Sequence, residues 1–403
     1  MRPNVSFVIT ATVKDPLQQL WNKCLDDKQM QLHRNDLEKY VQLYLFPCLI
    51  VFGILGNALN LTVLLNKRMR SRANTFLSLL AISDIAFLVF LTPHVLATYH
   101  FLYVNYYFRW FYFKTKIHWL ALANWMSAVA IWVVIAVCAD RLIGIRKPLY
   151  IRSHVASYKM MMILVIIVVV PFLLTLFRHF EHYCPVNNLC HDTQVYSKCF
   201  PITHDVWQSH MFQNTFSYGY RKFIRLSILT NTVFIVMCPI ILLATLNILL
   251  LCALRQRSSE ISLMQDDNVT NPTMNNHKHH KTEQRVTLTV TLIVTLFTFT
   301  NGPSGVVSFV DLVGESNRMP DWWYNAGVFA NSLVVVGKAS NFIIFCLFSK
   351  HFRKRLFGLA QKKVHEKIDL LESRRRSSVH KASGLSRRET TNSRKASTQA
   401  MLF

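Results

Sequence analysis

Charge is scarce in this chain, and acidic charge scarcest. Only 16% of the 403 residues are charged, with 21 acids set against 45 Lys and Arg. A soluble domain rarely combines so few charges with 52% apolar residues. Catalytic patterns are missing too. There is no nucleophile–base motif, no phosphate loop and no His-Glu-x-x-His spacing. These gaps exclude the common soluble enzymes and leave no cofactor or metal site to expect. A secretory signal is lacking as well, because residues 1–40 mix charges with short apolar patches. The first apolar segment is therefore expected to direct insertion.

What the chain has instead is long apolar runs. About twenty uncharged residues span a bilayer core. Seven segments reach or approach that length, at roughly 41–66, 73–99, 117–139, 160–177, 226–254, 286–310 and 323–348. The basic residues cluster between them: Lys67, Arg68, Arg70 and Arg72 after the first, Arg146, Lys147 and Arg152 after the third, and a dense set after the seventh. Basic loops stay cytoplasmic, so the N-terminus is expected outside and the tail inside. The net charge of +24 therefore reads as membrane topology and contact with anionic lipid, and nucleic acid is not an expected partner. A transporter or channel is the rival class, but the sequence shows no repeated halves or broken helices.

Two polar features recur where apolar residues would be cheaper. The third segment closes on Ala136-Val137-Cys138-Ala139-Asp140-Arg141-Leu142, with Lys147-Pro148-Leu149 just beyond. The first contains Gly56-Asn57, and the second Leu80-Ala81-Ile82-Ser83-Asp84. A carboxylate at membrane depth is expensive and points to function. Taken together these motifs resemble the first three helices of rhodopsin-like G-protein-coupled receptors, with Leu142 in place of the usual aromatic. The fifth segment carries Pro239, and Pro303 matches the kink of the sixth helix. The resemblance spans about residues 41–357 and implies an all-α fold. It has an extracellular arm (1–40), a seven-helix bundle (41–348), a short amphipathic eighth helix (349–360) and a disordered basic tail (361–403). It also implies a multi-pass plasma-membrane receptor that drives nucleotide exchange on a heterotrimeric G protein.

Several positions depart from that pattern. Asn301 replaces a Trp before Pro303, Asn247 replaces a Tyr, and Asn341-Phe342-Ile343-Ile344-Phe345 replaces Asn-Pro-x-x-Tyr. The last sequence, followed by Lys350-His351-Phe352-Arg353-Lys354-Arg355, resembles invertebrate FMRFamide-like neuropeptide receptors. Ala123 stands where amine receptors carry their acid, which argues against a monoamine ligand. The resemblance therefore implies an extracellular peptide ligand, amidated or not, with a small-molecule chemosensory ligand as the alternative. Candidate pocket residues are His94, Tyr99, Trp119, Asn124, Asp311 and Asp321. An outer loop expected over 99–116 is crowded with rings, among them Tyr106, Tyr107, Phe108, Trp110, Phe111, Tyr112 and Phe113. They suit either an interfacial belt or a ligand rim.

For switching, the resemblance assigns Asp140 and Glu283 to restrain Arg141, with Asn341 and Phe345 in the seventh helix. Glu283 also reads simply as a solvated charge. Lys338 is the oddest residue. It lies deep in the seventh segment, three residues from Asn341 and so about one turn away on a similar face. In the implied fold that face meets Asp84 and Asn57. Many relatives hold sodium beside the equivalent acid, so Lys338 is expected to replace the ion and pair with Asp84. A retinal Schiff base would need its lysine within Ser332–Val335, which has none.

The implied disulfide from helix 3 is not available, because the expected position is Lys116. Cys24, Cys184, Cys190 and Cys199 are the outer cysteines, and four cysteines allow three pairings. Asn4-Val5-Ser6 is a glycosylation acceptor by pattern. The His277–His280 cluster in a polar inner loop (255–285) shows no structured metal-ligand set. Ser377, Ser378 and Ser397 follow basic residues in the tail. Phosphate there would add negative charge, and the resemblance implies kinases and arrestin as partners.

Overall fold

Among the described residues, seven helices are long and apolar enough to cross a membrane. The structure, a computed structural model, describes residues 23–66, 71–146, 157–204, 206–207, 212–266, 274–314 and 320–348, with scattered positions from 353 to 373. The helices are α1 (Asp36–Leu64), α2 (Arg72–Leu96), α3 (Tyr106–Arg146), α4 (Ser157–Thr175), α5 (218–266), α6 (Met274–Val313) and α7 (Asp321–Phe348). They belong to one unit, Met1–Ser349, and Lys350–Phe403 forms another. Within the second unit, positions 353–354 and 356–358 are helical.

Caps set several helix starts. The Asn35 side chain accepts from the Glu38 N–H at 2.9 Å, Ser71 from Asn74 at 3.2 Å, and Ser217 from Tyr220 at 3.3 Å. Each satisfies one of the orphan donors at a helix N-terminus. The capped starts of α1 and α5 lie several residues before their apolar runs begin, so both helices extend further than expected.

The exposed faces are apolar and the interior holds the polar groups. Val51, Phe52, Leu55 and Leu59 of α1 are exposed, as are Met161, Met162, Val165, Ile166 and Val169 of α4. Asn57, Asn60, Asp84, Lys338 and Asn341 are buried. That inversion is what a bilayer demands of a bundle. The outer half of the core packs Phe46 and Ile50 of α1 against Phe87, Leu88 and Leu91 of α2 and Val334 and Val335 of α7. Close packing of α1 on α7 depends on Gly56, where a Cβ would come within 2.8 Å of Phe342 Cβ.

The loop expected over 99–116 is helical instead. A turn at His100–Tyr103 leads straight into α3 at Tyr106. Asn105 caps that start, accepting from the Phe108 N–H at 3.0 Å. Arg109, Tyr112 and Phe113 are buried on one face, while Tyr107, Trp110 and Phe111 are exposed on the other. That spacing is amphipathic and helical. At 1.5 Å per residue, the 41-residue α3 is about 60 Å long, twice the thickness of a hydrocarbon core. Its first turns therefore stand above the membrane. Other boundaries also move. Past Pro171, α4 runs on to Thr175 and a 3-10 turn to His179, while the described residues of the expected inner loop, 255–266 and 274–285, are helical.

The second outer loop folds as short antiparallel pairs: β1 (His182–Tyr183) with β4 (Phe200–Pro201), β2 (Val186–Leu189) with β3 (Gln194–Ser197), and β5 (Val206–Trp207) with β6 (Phe212–Gln213). Cys184–Cys199 closes the base of the β2–β3 hairpin, and Cys24–Cys190 ties its tip to the N-terminal segment. Arg109 joins this hairpin to α3. It is 2% exposed and donates to the carbonyls of Val195 (2.5 Å), Met30 (2.6 Å) and Tyr103 (3.1 Å). Its guanidinium also lies 5.0 Å from the Phe113 ring centre.

Candidate functional site

A cavity of about 990 Å³ opens at the outer half of the bundle. Its floor carries Phe87, Leu91, Leu243 and Phe297, and its middle wall Asn124, Ser127, Asn301 and Asn331. At the mouth it is charged, with Arg34 and Glu38 from the N-terminal side, Arg178, Glu181 and His182 before and within the outer loop, and Asp311 from α6. Arg178 and Glu181 pair at 3.3 Å. Asp311 accepts from the Trp323 indole N–H at 2.7 Å. His182 is held below its ordinary value chiefly by burial. Glu181 opposes that shift, and the cations Arg178 and Lys116 and the neighbouring His204 reinforce it.

One hydrogen-bonded chain crosses the wall of this cavity. Tyr324 donates to Glu38 at 2.6 Å, and the Gln42 amide donates to Glu38 at 3.0 Å and meets His94 Nε2 at 3.3 Å. On the far side, His94 Nδ1 lies 2.7 Å from the Tyr112 hydroxyl. With Gln42 donating to Nε2, His94 carries its proton on Nδ1 and donates to Tyr112. The chain links α7, α1, α2 and α3.

Of the residues expected to line the pocket, His94, Asn124 and Asp311 do so. Tyr99 and Trp119 stand outside it, which corrects the sequence reading. Tyr99 donates to the Leu43 carbonyl at 3.3 Å, while Trp119 donates to Thr115 at 3.1 Å and packs on Phe90. Tyr99 lies in the bend after α2 and reaches α1, while Trp119 lies on an α3 face turned to α2, and depth along the sequence does not reveal facing. Asp321 begins α7, and its side chain lies outside the described residues. Glu38 was missed because it reads as part of the 1–40 arm, and Gln42 and Tyr324 because they open apolar segments where nothing local marks a packing partner. The helix-start pattern Asn35-x-x-Glu38 was the available signal.

Below the floor lies a buried charge pair. Lys338 Nζ is 3.2 Å from Asp84 Oδ1. Asn341 donates to Asp84 Oδ2 at 2.5 Å, and Asn57 donates to the Lys338 carbonyl at 3.1 Å. The Lys338 ammonium also sits 5.6 Å from the Phe87 ring centre and 5.3 Å from that of Phe297. Those two rings are cavity floor on one side and charge-pair wall on the other.

At the inner end of α3, Asp140 lies 3.8 Å from Arg72 of α2, a contact not expected from sequence. Arg141 follows it, partly buried. Glu283 is in α6 and Phe345 in α7, but their side chains lie outside the described residues, as do Asn4, Ser377, Ser378 and Ser397 entirely. Among the described residues, no cluster of three or more His, Cys, Asp or Glu is arranged to hold a metal ion.

A seven-helix bundle with an outer cavity, a buried polar pair and Asp-Arg at the inner end of its third helix defines a rhodopsin-like G-protein-coupled receptor. The fold superposes on the crystal structure of squid rhodopsin with a TM-score of 0.60, at 14% identity over 84% of this chain and 90% of that one. Residues 44–362 match the family described as serpentine type 7TM GPCR chemoreceptor Srw, and the chain belongs to that family. A putative G-protein coupled receptor of Caenorhabditis elegans is 37% identical over 333 residues, covering 83% of this chain and 76% of that protein. The sex peptide receptor-related protein 2 of the same organism is 24% identical over 396 residues, covering 88% and 82%. The chain is thus a multi-pass membrane receptor, with an extracellular ligand and a heterotrimeric G protein as its family's partners.

Proposed function

We propose that this receptor answers an extracellular peptide at the plasma membrane, with its N-terminus outside and its tail inside. The charged mouth carries the reading: four chain segments bring both signs of charge to the rim of a large cavity. A peptide offers several charged and polar groups at once, whereas small-molecule pockets are mostly apolar with few polar anchors. Asp311 beside Trp323 and Tyr324 suits a basic residue flanked by an aromatic ring, such as an Arg-Phe-amide end. The resemblance to FMRFamide-like receptors and the peptide named in one relative agree with this. A second reading, a small chemosensory ligand, draws on the family's description and on the apolar floor of Phe87, Leu91, Leu243 and Phe297.

In this account the ligand pushes on Phe87 and Phe297, the rings shared with the Asp84–Lys338 pair, and biases a two-state bundle. Arg141 is the coupling residue, Asp140 and Glu283 restrain it, and Asn341 and Phe345 relay motion along α7. The helical positions 353–354 and 356–358, with Arg353 and Lys354 among them, suit an amphipathic segment on the inner leaflet. Asn4 carries glycan, and phosphate on Ser377, Ser378 and Ser397 recruits arrestin. The test is a panel of amidated peptides and of small odorants on cells expressing the receptor with a promiscuous G protein. A peptide response that weakens in Asp311→Asn is expected. A response to odorants alone would overturn the peptide reading.

A further inference from the structure

The outer end of α3 meets the end of the α4 segment through two imidazoles. His118 Nδ1 and His179 Nδ1 are 2.9 Å apart, while the ring centres are 5.2 Å apart with planes 29° from parallel. The nitrogens are thus far closer than the rings, which face each other nitrogen to nitrogen across a shared gap. In the absence of an ion, a single proton fills that gap, one ring donating and the other accepting.

We infer that this pair is a binding site for a transition-metal ion of the zinc type. Two imidazole nitrogens on a tetrahedral zinc, each about 2.0–2.1 Å from the metal, stand about 3.3 Å apart. The existing gap reaches that by opening a few tenths of an ångström, with the rings swinging so that both lone pairs converge on the ion. The His118 side chain is exposed and can give. His179 sits on a firmer base, since Phe177 in the same 3-10 turn is buried in a cluster with Ile202 and Ile224. The two ligands come from separate elements, and water completes the coordination.

The site is reachable from outside. His118 lies 23 residues before Arg141 on one continuous helix, about 35 Å at 1.5 Å per residue, beyond a hydrocarbon core of about 30 Å. Imidazole donors select zinc, copper or nickel over magnesium and calcium, which prefer oxygen.

Position gives the site a role. His179 is flanked by Arg178 and, two residues on, Glu181, both at the cavity mouth. The two disulfides of the described residues tie the outer loop to itself and to the N-terminal segment, not to α3. A bound metal would bridge α3 to the start of that loop beside the ligand's entrance, and so tune ligand response.

The experiment uses the purified full chain in detergent. Zinc chloride should raise its unfolding temperature by several degrees, magnesium chloride should not, and both His118→Gln and His179→Gln should lose most of the shift. The same zinc shift in the double variant would place the metal on other histidines and overturn the proposal. A second measurement needs no variant: zinc should slow diethyl pyrocarbonate modification of His118 and His179 selectively, read by mass spectrometry. Unchanged reactivity of these two residues under zinc would overturn it equally.

Discussion

The Lys338 ammonium stands 3.2 Å from the Asp84 carboxylate, with 1% and 0% of the two side chains exposed. Neither charge is tolerable alone at that depth. Removing one partner of a buried pair costs about 3–5 kcal/mol, because the other charge is left stranded. Lys338→Ala should therefore cost surface expression and thermal stability, and adding Asp84→Asn should restore much of both. Purely additive losses would contradict the pair.

A lysine in that place also removes the need for a bound cation. Replacing sodium chloride by choline chloride at equal ionic strength should leave wild-type stability unchanged. In Lys338→Ala, with Asp84 stranded, the same exchange should lower it. A sodium-specific gain in the wild type would show that an ion, not the ammonium, neutralises Asp84.

The outer face is held by cross-links that avoid α3. Non-reducing digestion should yield peptides joined through Cys24–Cys190 and Cys184–Cys199. Cys24→Ser should cost about 2–5 kcal/mol, as loss of a native disulfide typically does. Free, alkylatable Cys24 in folded receptor would contradict this arrangement.

Arg109 does by hydrogen bonds what a bridge from α3 would do covalently. Its guanidinium spans carbonyls from three segments, and Lys cannot reproduce that fork. Hydrogen bonds to a charged group contribute about 1.5–3 kcal/mol each. Arg109→Met should therefore speed amide exchange across Gln194–Ser197, and Arg109→Lys should rescue only partly. Unchanged exchange in Arg109→Met would show that the disulfides alone hold the hairpin.

The bundle was legible from apolar run length, because a bilayer leaves few ways to hide a backbone. Asp84, Asn57 and Lys338 were legible for the same reason: polar groups at depth must find one another. Helix ends were not, because beyond the membrane the apolar signal stops while the helix continues. Asn105 with the 109-112-113 spacing marked the outer extension of α3, but only to a reading that looked for caps in an aromatic stretch. Tyr99 and Trp119 misled because rings near the interface look alike whether they face a cavity or a helix. Glu38 and Tyr324 lie 286 residues apart, and their hydrogen bond is a product of packing that neither local sequence announces.

Acid should loosen the outer loop. The folded pKa of His182 lies below its ordinary 6.5, so as pH falls the unfolded chain binds the proton first. Its contribution to stability is complete above about 6.5 and is lost as pH drops toward the folded value. His33 is shifted the same way, first by burial, so His182→Gln should reduce the slope of unfolding temperature against pH without abolishing it. An unchanged slope in that variant would remove His182 from the account.

In the proposed function, a ligand in the outer cavity drives nucleotide exchange through Arg141. The most direct measurement is guanine-nucleotide exchange on a co-expressed heterotrimeric G protein, using membranes with matched receptor levels and an amidated peptide found active in the panel. Robust exchange is expected for the wild type, and loss of exchange with peptide binding retained for Arg141→Ala. Full peptide-driven exchange in Arg141→Ala would contradict it.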